Sequence, residues 1–124
     1  MPFNFLGVDH VQLAAPYGCE SKARNFYADL LGWLEIPKPE NLSKRGGVWF
    51  QCGIHQVHIG VQSDFVPATK AHPAFHVQNI DSLRENLLQK GMQVIDDDAR
   101  SDEGVKRFYL NDPFGNRLEF LEWL

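Results

Sequence analysis

Lys70 to Val77, KAHPAFHV, places two histidines four residues apart around a proline and a phenylalanine. Pro73, Phe75 and Val77 alternate with His72, Ala74 and His76, the period of two expected of a half-buried strand. Proline is tolerated where a strand opens, and it biases the residue before it toward an extended backbone. One side of this strand therefore carries both imidazoles.

The stretch has a counterpart near the N-terminus. Laid over VDHVQLAA (residues 8–15), it sets His72 opposite His10. The last strands of the two halves, HQVHIGV (55–61) and NRLEFLE (116–122), likewise set His58 opposite Glu119, at an offset that differs by a single residue. Four potential ligands thus fall on two equivalent pairs of strand positions.

The elements between these strands also repeat. Ser21 to Leu31 puts Ala23, Phe26, Tyr27, Leu30 and Leu31 on one helical face, with Gly32 as the stop. Asp81 to Lys90 has Asp81 as the expected N-cap, Leu83, Leu87 and Leu88 on one face, and Gly91 beyond the end. A period of two marks strands near 8–15, 33–36, 47–52, 56–61, 73–78, 92–95, 105–110 and 116–123. The order is βαβββ twice, joined by a linker at about 62–71 that contains Pro67. The expected fold is α+β, with two βαβββ modules forming a cupped mixed sheet and helices outside. It is read as one domain over 1–124, module one about 5–62 and module two about 70–124.

Alternation assigns faces. Val11, Leu13, Val57, Ile59, Phe75, Leu118 and Phe120 pack under the helices. His10, Gln12, His58, His72, His76 and Glu119 face the other way, as do Trp49, Gln51, Arg107 and Tyr109. A lining this mixed suggests a small-molecule pocket in the cup. Asp112 to Asn116, DPFGN, has the chemistry of a tight turn that aims Glu119. Asp96 to Asp98 reads as a solvated acidic loop, and His55 as a surface histidine.

Bulk properties exclude several classes. The 124 residues, 44% hydrophobic and 23% charged, contain no apolar run approaching the roughly 20 residues of a membrane span. The N-terminus lacks a basic region followed by an apolar one, so a cytoplasmic location is expected. Cys19 and Cys52 have no CxxC spacing and read as free thiols. A net charge of −4 with scattered Lys and Arg argues against nucleic acid as a partner.

Taken together, DHVQLAA, ARNFYADLLGW, AHPAFHV and RFYLNDPFGNRLEFLE resemble the vicinal oxygen chelate superfamily over nearly the whole chain. That superfamily includes glyoxalase I, fosfomycin-resistance thiol transferases, extradiol dioxygenases and bleomycin-resistance proteins. The resemblance implies one divalent metal ion, with His10, His58, His72 and Glu119 at the ligand positions, and a homodimer. Imidazoles with a carboxylate suit Zn, Ni, Co, Mn or Fe. It further implies a lyase or isomerase, similar to lactoylglutathione lyase, acting on a small substrate with vicinal oxygens, a thiol adduct among the candidates, in which the metal is the Lewis acid and Glu119 moves a proton between adjacent carbons. His76, Trp49, Gln51, Arg107 and Tyr109 become candidate substrate contacts. Ala14 stands where glyoxalase I usually offers an arginine to glutathione, so the glutathione adduct is not implied. The alternatives are a fosfomycin-type thiol transferase, an extradiol dioxygenase, and a metal-free protein that sequesters a drug or metabolite.

Overall fold

The computed structural model describes residues 2–124, which form two compact units, one running to Phe65 and the other Val66–Leu124. In the first unit β1 (His10–Ala15) is followed by α1 (Glu20–Ala23), which runs on as a π-helical segment, Arg24–Leu30. Then come β2 (Leu34–Ile36), β3 (Val48–Cys52) and β4 (His55–Val61). The sheet order is β1-β4-β3-β2, with β1 parallel to β4 and the other neighbours antiparallel.

The second unit repeats this topology. It consists of β5 (Ala74–His76), α2 (Ile80–Gln89), β6 (Ile95–Asp96), β7 (Val105–Asn111) and β8 (Arg117–Trp123), in the order β5-β8-β7-β6. Again the first and last strands of the module are parallel and the remaining neighbours antiparallel. The fold is therefore the α+β pair of βαβββ modules expected from the sequence.

Each unit has its own core, built from the apolar side of its strands. In the first, Val48, Phe50, Val57 and Ile59 are buried together with Phe26 and Tyr27. Tyr27 stacks on Trp33 at 5.3 Å between ring centroids and lies tilted on Phe50 at 5.5 Å. Phe26 and Tyr27 are adjacent in sequence yet both buried; the wider π-helical turn, closed by the Leu31 N–H on the Phe26 carbonyl, carries them. In the second unit Phe120 packs on both Phe75 and Phe108, over buried Leu87, Leu110 and Leu118. Burying each large apolar side chain contributes on the order of 1.5–3 kcal/mol.

Two expectations are corrected. Asp81 does not cap α2, because its carboxylate is taken by Lys106 Nζ at 2.8 Å. The helix starts one residue earlier, after Asn79 in a left-handed conformation (φ 62°), and the amides of Asn79 and Ile80 donate to Glu122 on β8, each at 3.0 Å. The Asp96 to Asp98 stretch is tethered rather than freely solvated. Arg84 binds Asp96 through two bonds of 2.8 and 2.6 Å, and Arg107 Nη2 donates to Asp97 at 3.2 Å.

The turn reading holds in detail. Asp112 Oδ1 accepts the amides of Phe114 and Asn116 at 2.9 and 2.8 Å, closing the β7–β8 hairpin. That fixes the register which sets Tyr109 opposite Glu119.

Candidate functional site

The candidate side chains form two pairs, one per unit. In the first, β1 and β4 run parallel with His10 in register with Gln56 and Gln12 with His58, so His10 and His58 are diagonal neighbours on one face. Their rings stack at 4.3 Å. The antiparallel β3 sets Trp49 opposite His58, and those rings lie parallel (1°) at 3.6 Å. His58, expected to face an open cup, is instead sandwiched between two rings and only 5% exposed.

This sandwich sets protonation. Burial, reinforced by the neighbouring His10, holds the His58 imidazole below its ordinary range, so it is neutral at neutral pH. Its Nε2 donates to Gln56 Oε1 at 2.9 Å, which leaves Nδ1 with the lone pair. His10 is the reverse: Nδ1 donates to the Asp9 carboxylate at 2.9 Å, and Nε2 is the nitrogen turned away from it.

In the second unit His72 precedes β5, and Glu119 lies on β8 with its amide donating to the Pro73 carbonyl at 3.0 Å. This brings His72 Nε2 to 2.8 Å from Glu119 Oε1, with Glu119 only 4% exposed. His72 Nδ1 faces the Lys70 carbonyl at 2.9 Å, an acceptor only, so Nδ1 bears a proton. Arg107 Nη1 reaches Glu119 Oε2 at 3.4 Å and the Tyr109 hydroxyl at 3.3 Å. The Tyr109 ring meets His72 edge-on and carries the Arg117 guanidinium on its face, 4.1 Å from the centroid. Arg117 was not anticipated as a site residue; its alternation with Leu118 was the available signal.

The other candidates lie apart from these pairs. Gln51 turns its amide onto the Gly53 carbonyl at 2.8 Å, over the β3–β4 turn. His76 lies exposed at the end of β5, in register with Leu121. His55 is exposed at the start of β4, as the sequence suggested.

The donor chemistry fits a divalent metal. His10 and His72 each tie Nδ1 to an oxygen, which in the neutral imidazole leaves Nε2 as the donor to a metal, the arrangement that fixes the tautomer of metal-binding histidines. Neutral His58 and the Glu119 carboxylate supply the remaining donors. Among the described residues no three His, Cys, Asp or Glu side chains cluster tightly enough to hold an ion. The donors are thus present as two pairs.

Repeated βαβββ modules with paired His and His/Glu positions on matching strands define a glyoxalase-like protein of the vicinal oxygen chelate superfamily. The sequence profile of the glyoxalase-like domain matches residues 20–121, and the chain belongs to that family. It is 55% identical to a glyoxalase family protein from Bacillus anthracis of known structure, with all of both chains covered and a TM-score of 0.96. The fold is shared with lactoylglutathione lyase from Agrobacterium tumefaciens (20% identity, 94% of this chain and 93% of that one, TM-score 0.73). It is also shared with a fosfomycin resistance protein from Listeria monocytogenes, complexed with Mn(II) and 1S,2S-dihydroxypropylphosphonic acid (17% identity, 98% and 95% covered, TM-score 0.79). Among the described residues no helix is long and apolar enough to cross a membrane.

Proposed function

We propose that this protein is a metal-dependent lyase or isomerase of glyoxalase type, acting on a small substrate with vicinal oxygens. His10, His58, His72 and Glu119 would hold one divalent ion. The observation that carries the reading is the His72–Glu119 contact, an imidazole nitrogen and a carboxylate oxygen directed at one another at 2.8 Å, with Glu119 buried and His72 half-buried. A bound cation would supply Lewis acidity to adjacent substrate oxygens.

The chain's own groups do the rest. Glu119 takes a proton from one carbon and returns it to its neighbour through a carboxylate oxygen, with His72 holding the side chain in place. Arg107 lies beside it. Its Nε is buried and has no hydrogen-bond partner among the described residues, which suits it to donate to a substrate oxygen. Trp49 and Tyr109 offer aromatic walls, one per unit. The listeria protein's complex with a dihydroxypropylphosphonic acid makes vicinal oxygens a reasonable substrate feature to test.

One observation favours a second reading. Arg107 already gives the Glu119 carboxylate a cationic neighbour, as a metal-free binding protein would require. Elemental analysis after reconstitution with divalent ions, followed by hemithioacetal, fosfomycin and catechol assays on wild type and Glu119→Gln, decides between them. About one equivalent of metal and a turnover that Glu119→Gln abolishes is the expected result; less than one equivalent with no turnover favours the binding protein. A homodimer belongs to the same proposal. Phe3, Phe5, Leu6 and Val8 expose 58–99% of their surface, an apolar segment that a second copy would cover. Sedimentation of wild type against the quadruple Phe3→Ser, Phe5→Ser, Leu6→Ser, Val8→Ser variant tests it.

A further inference from the structure

On the ligand-bearing side of the first sheet, beside Trp49, lies a cavity of about 270 Å³ lined by Gln12, Lys38, Arg45, Gly46, Trp49 and Gly60. We propose that it is an anion subsite, in which Lys38, Arg45 and the Gln12 amide bind the carboxylate or phosphonate end of the substrate. This deepens the proposed function by giving the substrate an anionic end, and it rests on that reading for the ligand's identity.

Three observations carry it. First, five of the six arginines have partners: Arg24 with Glu35, Arg84 with Asp96, Arg100 with Glu103, Arg107 with Asp97 and Glu119, and Arg117 on the Tyr109 ring. Among the described residues Arg45 alone has neither an acidic partner nor a ring, and it stands at this cavity. A planar guanidinium with free donors is suited to bidentate binding of a carboxylate or phosphonate.

Second, Lys38 is half-buried and Nζ donates to the Gly46 carbonyl. One ammonium proton is thereby used, and two remain for a ligand. The acid in this neighbourhood, Glu20, accepts the Gly47 amide at 2.6 Å, and that bond holds its carboxyl below the usual range. Its charge leaves an excess of one positive group at the cavity.

Third, the floor is shaped. A Cβ on Gly60 would fall 2.0 Å from Gln12 Nε2, so the Gln12 amide lies directly across the Gly60 backbone, where any other residue would displace it. Gln12 shares its strand face with His10, and Trp49 separates the cavity from His58. An anion held here lies within one side chain of the His10–His58 pair.

The test is ¹⁵N–¹H correlation spectroscopy of EDTA-treated protein titrated with inorganic phosphate or pyruvate at constant ionic strength, with glycerol as the uncharged control. The amides of Gly46 and Gly60 are expected to shift saturably with at least one anion and not with glycerol. Arg45→Gln and Lys38→Gln are each expected to weaken binding about tenfold, the order of one charge-assisted contact, whereas Lys44→Gln leaves it unchanged. Arg45 is exposed and accepts glutamine without disturbing the fold, so the test survives a folding defect in Lys38→Gln. Absence of a saturable shift with both anions, or equal affinity in wild type and Arg45→Gln, overturns the proposal. The metal is removed throughout, so failure here and failure of the metal reading are separate results.

Discussion

His72 Nε2 stands 2.8 Å from Glu119 Oε1, while the far nitrogen of the same imidazole donates to the Lys70 carbonyl. Two lone pairs do not face each other at that distance in a hydrogen bond, so a proton lies between them. The pair is either imidazolium with carboxylate or imidazole with carboxylic acid. In both cases a metal ion would take the place of that proton.

Metal binding should therefore release close to one proton from this pair. Calorimetric titration with Mn²⁺ or Zn²⁺ in buffers of different ionisation enthalpy measures it directly. The release should fall toward zero in Glu119→Gln, where neutral His72 Nε2 meets an amide and no shared acid proton exists. Equal release in both proteins would show that the proton comes from elsewhere.

Removing Glu119 as a base should be costlier to catalysis than to the fold. Glutamine keeps the shape and still reaches both His72 and Arg107. Turnover of whichever substrate the assays identify should fall by about 10²–10⁴-fold. The melting temperature should change little, because the lost carboxylate also relieves the burial of a charge. A variant that keeps wild-type turnover removes Glu119 from the mechanism.

Arg107 is held by Asp97 Oδ2 at 3.2 Å and by Glu119 at 3.4 Å, distances longer than strong charge-assisted bonds. It should be able to turn toward a ligand at modest cost. Arg107→Lys keeps the charge and loses the fork and the unpaired Nε–H. KM should rise about tenfold or more with kcat little changed if Arg107 binds substrate; an unchanged KM assigns it to holding the Asp97 stretch.

The duplicated fold was legible because its signals are local. A period of two survives in each strand, Gly32 and Gly91 stop the helices, and DPFGN closes a hairpin by its own side-chain bonds. Pairing His10 with His58, and His72 with Glu119, followed from equivalence of the halves. What escaped was decided by contacts between residues distant in sequence. Nothing near Asn79 announces that Glu122, 43 positions on, will cap its helix. Trp49 and His58 read as two cup-lining residues, because alternation gives a side of a sheet but not the stacking of rings upon it. The Arg107–Asp97 contact likewise depends on how the acidic stretch folds back over β7.

The Glu122 cap has a pH signature. Two amide donors, Ile80 first and then Asn79, hold its carboxyl below the ordinary range near 4.5, so the folded state binds this proton less readily than the unfolded chain does. The stabilisation is complete above the unfolded value and is lost as pH falls through the folded one. Glu122→Gln should lower the melting temperature at pH 7 and flatten its fall below about pH 4.5. Melting curves between pH 3 and 7 check it; parallel curves for the two proteins would show that Glu122 does not cap α2.

Gly47 and Gly104 separate backbone strain from crowding. Both have positive φ, 90° and 79°, where an L side chain is strained by about 1–2 kcal/mol. A Cβ on Gly104 meets nothing within 4 Å, whereas on Gly47 it would fall 2.1 Å from the Ile59 carbonyl oxygen, backbone that cannot move without breaking the β3–β4 pairing. Gly104→Ala should therefore lower the melting temperature by only about 3–8 °C. Gly47→Ala should cost clearly more, since the strand edge must shift as well as the residue. It should also free the Glu20 carboxylate that now accepts the Gly47 amide. Differential scanning calorimetry on the two variants measures the difference. Equal losses would mean that β3 and β4 part at this end without cost, and that the close approach at Gly47 contributes nothing to holding Trp49 over His58.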